Sequence, residues 1–166
     1  MIREEGRREE TFEEKAAELL NAKIPSERVI LIELLATIDG ARAIPYLIAA
    51  LRDDEKQVRN AAARSLGSIG ESAIPQISAL LTDQWWVVRY RACEALSMME
   101  NSSVYPYLQS ALSDERDHVR YMAAKGLMNL RIPSAIPDLM PLLQDENPYV
   151  RAMAEKAINS MKMIRE

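Results

Sequence analysis

The chain has 166 residues and a formal charge of −4, from 21 Lys plus Arg against 25 Asp plus Glu, and this mild acidity argues against a general nucleic-acid binder, which needs cations to displace counterions from phosphates. With 48% apolar and 28% charged residues it reads as a folded chain and not a disordered one. One cysteine, Cys93, excludes an internal disulfide and a cysteine-based zinc site, and one histidine, His118, starves most metal and acid–base constellations, so neither a metal nor a cofactor is expected.

Residues 1 to 8 are dense in Arg and Glu and lack an apolar leader; they predict a frayed segment or a solvated helix start. Phe12 to Ala22 then predicts a first helix, followed by a second carrying Arg28, Leu31, Leu35 and Ile38. From Ala43 to Leu51, Ile44, Leu47, Ala50 and Leu51 fall at helical spacing, with Pro45 expected in the first turn, where its missing N–H costs little. A polar Asp-Asp-Glu turn leads to another helix from about Lys56 to Ile69, with Val58, Ala62, Leu66 and Ile69 on one face and Gly70 as its stop. No stretch alternates as a strand would, and no run of 18 apolar residues occurs.

That helix pair recurs. Pro45, Pro75, Pro106 and Pro137 are spaced 30, 31 and 31 residues apart. So are Arg59, Arg89, Arg120 and Arg151, each preceded by valine, and Asp53, Asp83, Asp114 and Asp145, each six residues before its arginine. Small residues Ala62, Ala92, Ala123 and Ala154 recur on the second helices, where they allow close helix approach. The pattern predicts a single repeat domain over residues 9–166, with units near 9–40, 41–70, 71–101, 102–132 and 133–166, the first degenerate because Ala22 stands where the aspartate should be. A two-helix unit cannot bury its apolar face alone, so the expected fold is all-α: a right-handed α-solenoid of about five stacked helix pairs with a concave face.

The signature Ala/Ser-Ile-Pro-x-Leu/Ile, Leu-x-Asp, Val-Arg-x-x-Ala-x-x-x-Leu, complete from Pro45 to Ile69 and recurring to Ile158, resembles that of HEAT-repeat proteins, in particular the short phycobilisome-lyase-like class. The resemblance spans roughly residues 26 to 161. It implies that the second helices line the concave side and that the Asp and Arg rows form an internal ladder. It also implies three functional classes: protein-binding scaffolds, auxiliary subunits of bilin lyases, and iron hydroxylases with paired His-Glu motifs. His118 is followed by Val119, so the hydroxylase motif is missing.

Because Asp53, Arg59, Asp83, Arg89, Asp114, Arg120, Asp145 and Arg151 repeat in every full unit, they suit a structural ladder better than a phosphate-binding stripe, with each aspartate capping a turn and each arginine bridging to its neighbour. A binding site needs positions that vary between units. Those before the valine read Gln57, Val87, His118 and Tyr149; those after the arginine read Asn60, Tyr90, Tyr121 and Ala152. Trp85 and Trp86 occupy the turn before a second helix, and Glu94 and Lys125 belong to a further variable row. Trp85, Trp86, Val87, Tyr90, Glu94, His118, Tyr121, Lys125 and Tyr149 thus form the candidate partner-binding patch, since Trp and Tyr dominate interface hot spots. Cys93 is expected to face outward at mid-helix, where Arg89 and Tyr90 make only a weak case for the cationic surroundings of a reactive thiol.

The expectation is a non-catalytic, cytoplasmic scaffold for another protein or a peptide, without nucleic acid or membrane. The alternative is a bilin-lyase auxiliary subunit, and a nucleic-acid-binding HEAT-like protein stands behind it. Apolar Met161, Met163 and Ile164 leave self-association through the C-terminal end open.

Overall fold

The computed structural model describes residues 2–163, with side chains from Thr11 onward. Met1, residues 164–166 and the side chains of the predicted frayed segment lie outside the described residues. Helices are the regular elements throughout the described residues, and the chain divides into two compact units, residues 1–73 and 74–166.

The first unit holds α1 (Ile2–Asn21), α2 (Pro25–Ile38), α3 (Gly40–Ala50) and α4 (Lys56–Ile69). Pro25 opens α2, and Gly70 closes α4 with φ of 79°, a left-handed conformation that glycine adopts without Cβ strain. Leu31, Ile32 and Leu35 of α2, Leu47 of α3 and Leu66 of α4 are buried; burial stabilises each such side chain by roughly 1.5–3 kcal/mol. Phe12 of α1 sits edge-on to Tyr46 of α3, with ring centroids 5.9 Å apart, and the Arg42 guanidinium covers its face at 4.5 Å.

Pro45 departs from the first-turn expectation. Asp39 is extended and its Oδ1 accepts the Arg42 N–H at 3.1 Å, which starts α3 at Gly40 and leaves Pro45 inside the helix. Pro45 and Ala41, whose carbonyl loses its amide partner, are both exposed, so water can satisfy that group. In the second unit 3-10 turns occupy the preceding residues, Ser102–Val104 and Pro133–Ala135, and Pro106 and Pro137 fall at the second helical position.

The second unit holds α5 (Ile74–Ala79), α6 (Trp86–Ser97), α7 (Tyr105–Ala111), α8 (Asp117–Leu130), α9 (Ile136–Leu139) and α10 (Pro148–Lys162). The long helices α6, α8 and α10 pack side by side, and the short first helices α7 and α9 back them. Ala92, Ala123 and Ala154 are fully buried, as close approach requires. Gly126 serves the same end: a Cβ there would lie 2.9 Å from Leu108 Cδ1 and 3.1 Å from Ser97 Cβ.

Cys93 does not face outward. It is fully buried, because α6 packs against α5, α7 and α8 and therefore covers most of its circumference, Val88, Ala92, Ala95 and Leu96 included. Burial pushes its thiol pKa up, as it disfavours a thiolate.

Candidate functional site

The turn before each second helix is built the same way. Asp53, Asp83, Asp114 and Asp145 each accept, through Oδ1, the backbone N–H two residues on, at 2.8 to 2.9 Å. Arg59, Arg89, Arg120 and Arg151 each donate Nη1 to the carbonyl of the aspartate six residues before. The guanidinium's other edge reaches the aspartate 25 residues ahead: Arg28 to Asp53 in the first unit, Arg89 to Asp114 and Arg120 to Asp145 in the second, each fork at 2.7 and 2.9 Å. These bonds raise the pKa of Arg28, Arg89 and Arg120. The guanidinium edges of these three arginines are occupied by carboxylates, so none of the three offers a free fork to phosphate.

The variable positions cluster where the second helices of the second unit begin. The Trp86 ring lies against His118 with centroids 5.1 Å apart and planes tilted by 44°. Beside it is a cleft of about 380 Å³ lined by Tyr90, His118, Tyr121 and Tyr149. Asp117, Asn147 and Val150 complete the lining. Tyr149 is 75% exposed, while Tyr90 and Tyr121 are half-buried. None of the three phenols makes a hydrogen bond to another described residue. Burial and the nearby Glu94 raise the Tyr90 phenol pKa, which keeps it protonated.

Asp117 anchors the cleft. Its Oδ1 accepts from the His118 backbone N–H and faces His118 Nδ1, both at 2.7 Å, and its Oδ2 accepts from Asn147 Nδ2. The His118 side chain, and then Asn147, hold the carboxyl below its usual pKa. Asn147 Oδ1 in turn caps α10, accepting the Tyr149 N–H at 2.8 Å.

Of the other candidate residues, Trp85 is exposed and Val87 half-buried beside Trp86, but neither lines the cleft. Glu94 is tied to Arg91 at 2.5 Å, and Lys125 is exposed outside the lining. Asp117 and Asn147 were missed in the sequence. They occupy the turn positions at which Trp85 and Trp86 differ from Glu55 and Lys56, but nothing in the local sequence pairs the two turns.

The equivalent face of the first unit has only a hollow of about 310 Å³ lined by Val29, Ile30, Gln57 and Asn60 among others, without an aromatic ring. Toward the far ends of α6 and α8 a wider hollow of about 850 Å³ is lined by Glu100, Arg131 and Lys156 together with Met98, Met128 and Leu130 and the polar Ser97, Asn129 and Ser160. Among the described residues no cluster of three or more His, Cys, Asp or Glu is placed to hold a metal ion, and no helix is long and apolar enough to cross a membrane.

The family profile of HEAT repeats matches residues 13–97 and 74–159, and the chain belongs to that family. Among solved structures it is similar to the CpcE–CpcF complex of phycocyanin lyase from Nostoc sp. PCC7120, at 24% identity and a TM-score of 0.62, over 87% of this chain and 62% of that one. It is also similar to human deoxyhypusine hydroxylase, at 23% identity and 0.59, over 72% of this chain and 43% of that one. A designed armadillo repeat protein in complex with the peptide (KR)4 matches at 20% identity and 0.54, over 87% and 79%. The chain thus spans less than two thirds of the two natural neighbours. These likenesses place its fold among the α-solenoid repeat proteins. No curated protein sequence matches it.

Proposed function

We propose that this protein is a non-catalytic scaffold that binds a protein segment on the second-helix face of its second unit. The observation that carries the reading is the gathering of Trp86, Tyr90, His118, Tyr121 and Tyr149 around one cleft, while the equivalent face of the first unit lacks rings. A repeat needs the same residues in every unit to stack; a recognition surface needs them to differ. Exposed Tyr and Trp supply large contact area at little entropic cost, as hot spots do. The partner-bound forms of the phycocyanin lyase and designed armadillo neighbours support a protein as the ligand.

The test is selection of linear peptides from a displayed library on the wild type and on a Trp86→Ala, Tyr90→Ala, Tyr121→Ala variant, compared at equal helicity and melting temperature. The reading expects sequences enriched on the wild type and lost on the variant. Enrichment on neither protein would overturn it.

The second reading, an auxiliary subunit of a bilin lyase, draws its support from the phycocyanin lyase neighbour alone. Uptake of a bilin, seen as a change in its visible absorption on mixing, would favour it.

A further inference from the structure

We infer that the cleft between α8 and α10 is a guanidinium pocket: it takes an arginine side chain projected from an extended partner segment. This rests on the proposed binding face and names the chemistry of what enters it.

The charge inside the cleft is one carboxylate. Asp117 is the charged residue in the lining, ionised at neutral pH, and three donors leave part of its acceptor capacity open, since two carboxylate oxygens offer about four lone-pair directions. Two charged groups nearby are committed elsewhere: Arg120 is forked onto Asp145, and Glu94 is paired with Arg91. Lys125 is outside the lining.

The walls add acceptors and π-faces. Tyr121 and Tyr149 present rings and phenol oxygens without a partner among the described residues, and Tyr90 adds its phenol oxygen, its ring already carrying the Arg91 guanidinium 5.0 Å from the centroid. A guest that suits them is planar, cationic, weakly hydrated and rich in donors, with no acceptor of its own. Guanidinium has those properties, whereas an ammonium is a compact, strongly hydrated point charge.

An acidic guest is disfavoured even though three helices begin here. Helix N-termini attract anions through open backbone N–H groups. At this cleft four of the N–H groups of α8 and α10 and their turns are already taken: the His118 N–H by Asp117, the Tyr149 N–H by Asn147, and the Arg116 and Asn147 N–H groups by Asp114 and Asp145. A phosphate or carboxylate would meet Asp117 instead of donors.

The test uses the full chain and pools of labelled nonapeptides, random except for a central arginine, lysine, citrulline or glutamate, read by fluorescence anisotropy. The arginine pool is expected to bind roughly tenfold more tightly than the citrulline and glutamate pools, a margin expected for a desolvated cation with an aromatic and a carboxylate partner. Asp117→Asn should remove that preference, and Tyr149→Ala, at an exposed position, should weaken the arginine pool without lowering the melting temperature. Citrulline keeps arginine's shape and loses its charge, so equal binding of the two pools overturns the guanidinium pocket. If the pools bind equally and all are lost on the Trp86→Ala, Tyr90→Ala, Tyr121→Ala variant, the binding face stands while its arginine chemistry falls. If no pool binds, both fall.

Discussion

Arg120 lays Nε and Nη2 on the two carboxylate oxygens of Asp145, at 2.7 and 2.9 Å, while its Nη1 reaches back to the Asp114 carbonyl at 2.9 Å. One guanidinium thus ties the turn that precedes its own helix to the turn that precedes the next. The two side chains are 11% and 5% exposed, so the pair is largely desolvated.

Removing the carboxylate alone leaves that cation with only the exposed Glu146, at 3.4 Å, as counter-charge. Asp145→Ala is expected to cost about 3 kcal/mol, the scale for breaking a buried pair from one side. The joint change Arg120→Met, Asp145→Leu removes both charges and should recover most of the loss. Urea unfolding checks this through the midpoint, with the slope unchanged.

The same bonds set an acid limit. Arg120 holds the Asp145 carboxyl below its usual pKa, and His118 and Asn147 do so for Asp117. A carboxyl whose folded pKa is lowered contributes stability above its unfolded value, and that contribution fades as pH falls through the folded value. Stability should therefore hold from neutrality to about pH 5 and decline below about pH 4, where unfolded aspartates take up protons. Asp145→Asn should be less stable at pH 7 and show a shallower acid decline; a parallel decline in both proteins would contradict the assignment.

Gly126→Ala tests close packing. Alanine gains about 1 kcal/mol of helix propensity. Against that, its methyl would meet both Leu108 and Ser97 within 3.1 Å, and overpacking costs about 1–3 kcal/mol. A net loss is expected. At Gly40 the nearest atoms belong to the Ile69 side chain alone, the closest at 3.0 Å, so Gly40→Ala should lose less. Melting temperatures of the two variants give the order.

Cys93 should resist a thiol reagent in the native protein and react fully in denaturant, since it is buried and its thiolate is disfavoured. Rapid reaction of native protein would contradict its placement in the core of the second unit.

The helical repeat was legible because three residue types keep one register, and the second helix expected from about Lys56 to Ile69 is α4 over those residues. Helix starts were harder. Asp39 and Pro45 compete to define the start of α3, and the Asp39 cap wins, which a proline-based reading misses. Cys93 departs from the outward-facing expectation because that expectation holds for a helix with one buried face, whereas α6 is packed on several sides. Of the cleft, the rings were visible as deviations from the repeat. Asp117 and Asn147 were not, because their bond joins turns 30 residues apart and no local pattern announces it.

The reach of each arginine also governs how the array can change length. Because Arg89 meets Asp114 and Arg120 meets Asp145 across the same 25 residues, excision of the 31 residues 102–132 would bring Asp145 to the place Asp114 holds relative to Arg89. Gene-level loss or duplication of that segment would leave the guanidinium before it opposite a carboxylate, whereas an indel of a few residues within the 25-residue reach would misalign the pair. The cleft has no such protection: the same excision would delete His118 and Tyr121 outright.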